Sequence, residues 1–447
     1  MIQEIQNEKP NYWAKDSVIV KLSVIAALIL LLLIPSQWIQ SLISEREKTQ
    51  DEVLNDVSDK WSGSQLIQGP VLVIPYQKEV RVLDSNKKEI VRRETQTLYV
   101  LPQNMQIKAN INTDTLHRGL FRAVVYNSKI WVQGNFGKPE LEKAGIDPAA
   151  VNYDKVRLIF SVSDLKGLKS NPVIQLNNQK LNVEPTFNGK SPFDDGLQVS
   201  FTLPKDQEIT FSFSLDLKGS NELNFMHTAK TTDVEVTSNW VTPSFDGRYL
   251  PDTRAVTKSG FNAKWRMLYY NRPFPQQWIN DDSVLKNDKA TDNATFGVKL
   301  RLPVDQYQKT IRTTKYSTLI ILLTFVSLFF TELIRKQRVH VFNYILIGAA
   351  MVIYYTLLLS FSEQVGYNVA YLIASVATIT LISLFTSSLL QNRQMALLFG
   401  FILTTFYGFT FIIIQLEDLS LMIGSILLFI IITLLMYFSR KINWEKQ

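Results

Sequence analysis

The chain has 447 residues, 46% of them hydrophobic, with 47 Lys and Arg against 40 Asp and Glu for a net charge of +7. That charge is modest and scattered, so no basic block points to nucleic acid, and the lack of cysteine excludes a disulfide framework. Hydropathy is uneven along the chain: residues 1–17 are polar, 18–39 apolar, 40–315 mixed, and the last ~130 more apolar than any soluble core of that size requires.

A membrane-crossing helix takes about 20 apolar residues. The first such run, 18–39, reads as an anchor rather than a signal peptide, because "LLLLIPSQWIQSLISE" offers no small-residue cleavage site. After it, Ile43, Val53, Leu54, Val57 and Trp61 recur at roughly helical spacing, and Ser44 with Glu47 fits a capping box, so a second helix is expected up to Gly63. Short strands follow. "VLVIPY" is an apolar run of the buried type, whereas "MQIKANIN", "KIWVQGNF", "VRLIFSVS", "LQVSFTL" and "EITFSFSLDLKG" alternate with period two between turn residues. Alternation gives each strand one wet and one core face, as in antiparallel sheets, and the expected fold of 40–315 is a mainly β, sandwich-like domain, with a half-open curved sheet as the alternative. "KPELEKAGIDPAAV" is a short helix or loop insert.

Five more apolar runs follow at 316–334, 342–361, 367–389, 395–415 and 419–438. The short loops alternate in charge. Arg335, Lys336 and Arg338 precede the second of these runs, Arg393 precedes the fourth, and Arg440, Lys441 and Lys446 follow the fifth. "SEQVGYN" and "LEDLS", by contrast, hold only Glu363, Glu417 and Asp418. The positive-inside rule then predicts six transmembrane helices, one N-terminal and five C-terminal, with both termini cytoplasmic. The corresponding segments are a cytoplasmic tail at 1–17, an anchor at 18–39, a β-rich domain at 40–315 on the outer side, a five-helix bundle at 316–438 and a cytoplasmic tail at 439–447.

Several long stretches carry a resemblance to a known family. They are "GPVLVIPY", "RGLFRAVVYNSKIWVQGNF", "PSFDGRYLP" followed by "GFNAKWRMLYYNRPFPQQW", "FGVKLRLPVDQYQKTIRTTKY" and "LLLSFSEQVGYNVAYLIAS". In this order, over nearly the whole chain, they resemble the CreD family of bacterial inner-membrane proteins, named for cell-envelope integrity. The resemblance implies a Gram-negative inner membrane and a link to envelope stress; it supplies no catalytic residue.

Motifs for chemistry are sparse. His117, His227 and His340 form no HExxH or paired ligand spacing, and no metal or cofactor is expected. "NGKS" at 188–191 lacks the earlier glycine of a phosphate loop, with Glu184 in its place, and no GxSxG elbow occurs. "NAT" at 293–295 is a formal glycosylation acceptor read as a chance match. Two outer stretches, "NWVTPSFDGRYLPD" and "WRMLYYNRPFPQQW", combine aromatics with arginine; core aromatics beside turns is the preferred reading, and a recognition surface for a protein, glycan or lipid headgroup is the alternative.

In the bundle, Gly366, Ala370, Ala374 and Thr378 recur every four residues and are expected to form a helix-packing seam. Tyr354, Tyr355, Ser375, Thr380 and Ser383 add hydroxyls, but no Lys, Arg or clear acidic pair is expected at mid-membrane depth, which weakens a proton-coupled transporter. Glu363 is a solvated exit residue or, more sharply, part of an acidic bundle mouth with Glu417 and Asp418. That mouth would meet a basic stem, Lys309, Arg312 and Lys315, and dock the β domain. The sequence thus favours a non-enzymatic envelope protein that touches membrane lipid and binds envelope proteins, lipids or glycans through its β domain. A transporter or lipid-handling protein is the alternative.

Overall fold

The computed structural model describes residues 18–83, 89–186, 191–204, 207–300, 302, 306–335, 339–416 and 420–439. The chain divides into two compact units, Glu52–Pro303 and a discontinuous one made of Met1–Asp51 with Val304–Gln447.

The first helix, α1 (Val18–Trp61), runs 44 residues without a break. No second helix starts at Ser44, and the Ser44–Glu47 capping box is not a cap. Nothing between Ile39 and Ser44 stops a helix, and Pro35 is carried within it. Its C-terminal end is fastened inside the β unit, where the Gly63 amide and the Ser62 hydroxyl both donate to Asp164 Oδ2 at 2.9 Å.

Among the described residues, the β unit is built from 17 strands in two sheets. The first contains β1 (Gln65–Leu83), β2 (Glu89–Val100), β5 (Val156–Val162), β8 (Glu184–Pro185), β9 (Gly196–Phe201), β11 (Glu222–Met226), β13 (Pro243–Gly247), β16 (Gln277–Ile279) and β17 (Thr295–Leu300). Its order is β13-β17-β11-β1-β5-β9-β8, with β2 on β1 and β16 on β2. The second contains β3 (Asn104–Arg118), β4 (Phe121–Phe136), β6 (Val173–Leu176), β7 (Gln179–Asn182), β10 (Ile209–Ser220), β12 (Thr231–Ser238), β14 (Thr253–Thr257) and β15 (Gly260–Leu268), in the order β14-β15-β12-β3-β4-β10-β6-β7. Most pairs are antiparallel, as alternation predicts, but β1 with β11 and β12 with β3 are parallel, so each sheet is mixed.

The two sheets share one core. Leu72, Ile74, Leu158 and Phe160 from the first meet Ile107, Val132, Phe213 and Leu215 from the second, with Phe160 stacked on Phe213 at 4.4 Å. The continuous apolar run in β1 has a specific cause. Leu72 and Ile74 point into the shared core, while Val71 and Val73 point the other way into a second cluster with Tyr99, Ile159, Met226, Phe274 and Leu285. The first sheet is therefore covered on both faces, and its central strands cannot alternate between polar and apolar. In β3, β10, β12 and β15, which have one wet face, the alternation is plain.

The membrane unit adds α3 (Gln306–Lys315), α4 (Ser317–Arg335), α5 (Val341–Val365), α6 (Tyr367–Leu390), α7 (Arg393–Gln415) and α8 (Ser420–Ser439), with α2 (Asp288–Ala294) lying earlier, in the β unit. Among the described residues four helices are long and apolar enough to cross a membrane, in α1, α5, α6 and α7, rather than the six expected. The difference has two sources. The Ser317–Leu333 stretch of α4 is joined to the polar α3 at a 41° bend, and only the pair together makes a fifth candidate. In α8, several side chains lie outside the described residues.

The shared core sets a stability prediction. Phe160→Ala, removing a fully buried ring, should destabilise the β unit by about 3–5 kcal/mol. Trp131→Ala, at a ring 49% exposed, should stay within about 0.5 kcal/mol. Denaturant unfolding of the two variants checks both.

Candidate functional site

Ionisable and hydroxyl groups inside the membrane unit are the first place to look for a site, because lipid offers them no partner. Where α4 gives way to α5, Glu332 is 7% exposed. Its Oε1 is paired with Lys21 Nζ of α1 and accepts the Val339 amide at 3.1 Å, and its Oε2 accepts the Tyr344 hydroxyl at 3.2 Å. Lys21 also donates to the Val339 carbonyl at 3.1 Å. Three helices and their connecting segment thus converge on one carboxylate. Further along, α1 approaches α5 at Gly348, where any Cβ would collide with Leu32 Cδ1.

At the opposite end of the bundle, Glu363 Oε1 accepts the Tyr307 hydroxyl at 2.9 Å and lies 3.9 Å from Arg46 Nε of α1. Lys309 donates to Gln415 Oε1 at 3.2 Å, Gln415 donates to Asn368 Oδ1 at 2.6 Å, and the hydroxyls of Thr313 and Tyr367 are 2.7 Å apart. The amphipathic α3 buries Tyr307, Thr310, Thr313 and Thr314, of which Tyr307 and Thr313 make these contacts. Glu363 therefore meets α1 and α3 of its own unit. Arg312 and Lys315 lie in the last turn of α3, and Glu417 and Asp418 fall outside the described residues.

Between these ends the interior is filled with tyrosine. The Tyr354 ring sits 4.8 Å from Tyr355, 4.8 Å from Tyr407 and 6.0 Å from Tyr371, all edge-on. The Tyr371 hydroxyl donates to the Tyr407 carbonyl at 2.7 Å. Along α6, Ala370, Ala374 and Thr378 are buried on one face together with Tyr371 and Ser375, and α6 packs between α5 and α7. Gly366 is not within the helix. It sits at φ +80 between α5 and α6, where a Cβ would meet nothing within 4 Å, so its role is the turn rather than close packing.

In the β unit, the buried polar centre is His227 and Arg272. The His227 Nε2–H donates to the Leu268 carbonyl at 3.0 Å, which leaves Nδ1 to accept from the Thr232 hydroxyl at 2.9 Å. Arg272 donates to the carbonyls of Phe274 and Thr228 at 3.0 and 2.6 Å and to Gln276 Oε1 at 2.9 Å. Burial pushes the His227 imidazole down to about 4, with the bond to Leu268 opposing and Arg272 reinforcing the shift. Both groups clamp the 269–276 segment onto the sheet and are closed to solvent. Of the two aromatic and arginine-rich stretches, Trp265 belongs to the core, whereas Leu250 and Tyr270 are 65% and 94% exposed. Sequence reasoning missed Glu332, whose signal was a carboxylate one turn inside an apolar run, and Gly348, a small residue outside any repeat.

Three measurements follow from this geometry. Glu332→Ala should cost about 3–5 kcal/mol by stranding Lys21, and the double change Lys21→Met with Glu332→Met should recover most of the loss in thermal unfolding in detergent. Ala374→Leu should cost about 1–3 kcal/mol by overpacking the α5–α6–α7 contact, whereas Val376→Leu, on the exposed face of α6, should be neutral. Because folded His227 stays unprotonated down to about 4 while the unfolded residue binds a proton near 6.5, its contribution is fully present above pH 6.5. It is lost as pH falls towards 4, by at most about 1.4 kcal/mol per unit, and His227→Gln should flatten that part of the stability curve.

The chain is similar to known proteins along nearly its whole length. The family model described as "Inner membrane protein CreD" matches residues 17–445. The Inner membrane protein CreD of Escherichia coli strain K12 is 28% identical over 442 residues, covering 98% of this chain and 94% of the relative. With its apolar N-terminal helix, its large β-rich unit and its C-terminal apolar helices, this multi-pass inner-membrane protein belongs to the CreD family.

Proposed function

We propose that the chain is a non-catalytic envelope protein whose β unit binds or organises components of the cell envelope while the membrane unit serves as its mount, contributing to envelope integrity under stress. In this reading α4 and α8 also cross the bilayer, for six crossings. Residues 1–17 and 439–447 are cytoplasmic, 40–315 periplasmic, and 316–438 the bundle. Support comes from one observation: both units are filled. Trp265, Tyr126, Phe136, Phe160, Phe225 and Phe296 occupy the sandwich with almost no exposed surface, and Tyr344, Tyr354, Tyr355 and Tyr407 do the same for the bundle. Both oxygens of the buried Glu332, and Oε1 of the largely buried Glu363, are spent on partners of their own unit. Glu363, Arg312, Lys315, Glu417 and Asp418 would act together in orientation at the periplasmic end. Exposed pairs of this kind contribute only about 0.2–1 kcal/mol.

A second reading, a transporter or lipid-handling protein, has one observation in its favour. Among the described residues, the hydroxyls of Tyr407, Ser383, Thr386 and Ser36 are buried without a partner, as groups beside a transient water path would be.

Crosslinking in cells tests the first reading. A photoreactive residue on the exposed surface of the β unit should capture a discrete envelope component, and uniform labelling by bulk protein would contradict it. Orientation is tested separately, without background, because the chain has no cysteine. Cysteine at Gln364, exposed in the last turn of α5, should react with a membrane-impermeant thiol reagent on spheroplasts, and cysteine at Gln394, exposed in the first turn of α7, should not. The reverse pattern would invert the topology.

A further inference from the structure

The β unit carries a recess of about 390 Å³ where β13 ends beside β11, β17 and α2. Its floor is built. Gly247 sits at φ +92 with its Cα so near β17 that a Cβ would lie 2.5 Å from the Thr295 carbonyl, and the Arg248 amide donates to that same carbonyl at 2.9 Å. Around it stand Asn224, Asp246, Arg248, Asp292 and Asn293. Asp246 is paired with Lys299. Lys299 also pairs with Glu222, so three carboxylates, Asp246, Asp292 and Glu222, stand against two cations, Arg248 and Lys299, and the recess carries only one net negative charge while rich in both donors and acceptors. A phosphate or a polycation would want one sign of charge; two carboxamides interleaved with carboxylates and a guanidinium instead match a neutral ligand dense in hydroxyl or acetamido groups.

The surface beside it has the complementary character. Tyr249 follows Arg248 directly, and its hydroxyl donates to the Asn271 carbonyl at 2.9 Å, which ties this segment to the turn bearing Tyr269 and Tyr270. Those two rings are 6.0 Å apart and lie 44% and 94% exposed, with Leu250 and Leu268 exposed alongside. Solvent-facing tyrosines present flat apolar area at little entropic cost. A sugar ring offers just such a combination, with polar edges and an apolar C–H face.

We infer that the recess at Asp246–Arg248 and Asp292–Asn293, together with the Tyr269–Tyr270 platform, is a binding site for a neutral oligosaccharide. The inference rests on the proposed envelope-binding function and names its ligand class.

The test is calorimetric titration of the full chain, in nanodiscs or a detergent without a sugar headgroup, with chitotetraose and with maltotetraose. Saturable binding of either supports the site, and the preferred sugar separates an acetamido glycan from a plain hexose chain. Arg248→Ala and Asp292→Ala should each weaken it about tenfold or more, the loss expected for a charged hydrogen bond. Tyr270→Ala should weaken it while leaving the unfolding temperature unchanged. Should Asp292→Ala disturb folding, Asp292→Asn replaces it. No saturable binding of either sugar, or binding indifferent to all three changes, overturns the site. Should crosslinking from the β unit capture a discrete partner while neither sugar binds, the site falls and the envelope-binding function stands.

Discussion

A charge that this protein buries among apolar helices has to be answered by the protein itself, and the arrangement around Glu332 is the clearest consequence. A carboxylate in that position is costly unless paired and hydrogen-bonded on each oxygen. Lys21, the Val339 amide and the Tyr344 hydroxyl meet that requirement, and in doing so they bring α1, α4 and α5 to a common point although Lys21 and Glu332 are 311 residues apart in sequence. Glu363, Tyr307 and Arg46 repeat the device at the other end with α1, α3 and α5. The N-terminal helix is thus tied to the C-terminal helices at both of their ends. That makes one membrane unit from segments separated by the whole β unit.

The β unit answers a different constraint. A sheet that is covered on both faces needs strands that are apolar throughout, and a sheet with one wet face needs strict alternation. Both patterns are present, and the two-faced burial of β1 and β5 follows from the 272–294 region folding over the first sheet with Phe274, Leu285 and Ala294. Arg272 holds that region by donating to two carbonyls and a glutamine rather than to a carboxylate. The buried polar atoms here are accordingly occupied with architecture, and the chemistry available to a partner lies at the surface, at the β13 end and the exposed tyrosines.

Much of this was legible in the sequence. Apolar runs marked α1, α5, α6 and α7, and period-two alternation marked β3, β10 and the "KIWVQGNF" part of β4, because both signals are local, whereas "VRLIFSVS" of β5, read as alternating, is buried on both faces. What escaped was set by distance or by the absence of a signal. Ser44 and Glu47 satisfied a local capping pattern, but no breaker precedes them and the helix continues. Gly366 kept the four-residue spacing of Ala370 and Ala374, yet spacing does not say where a helix begins, and its positive φ makes it the turn. The parallel pairings of β1 with β11 and β12 with β3 join strands far apart in the chain. Nor does a lone glutamate in an apolar run announce that a lysine near the N-terminus will reach it.

The central claim is that the membrane unit is a closed mount whose buried charges are structural. Its most direct test is flux. In proteoliposomes containing the full chain, the account predicts no proton or ion flux above protein-free vesicles under an imposed pH gradient or potential. Saturable flux that is abolished by Glu332→Gln, in a variant that remains folded, would contradict it and turn the same carboxylate into part of a pathway.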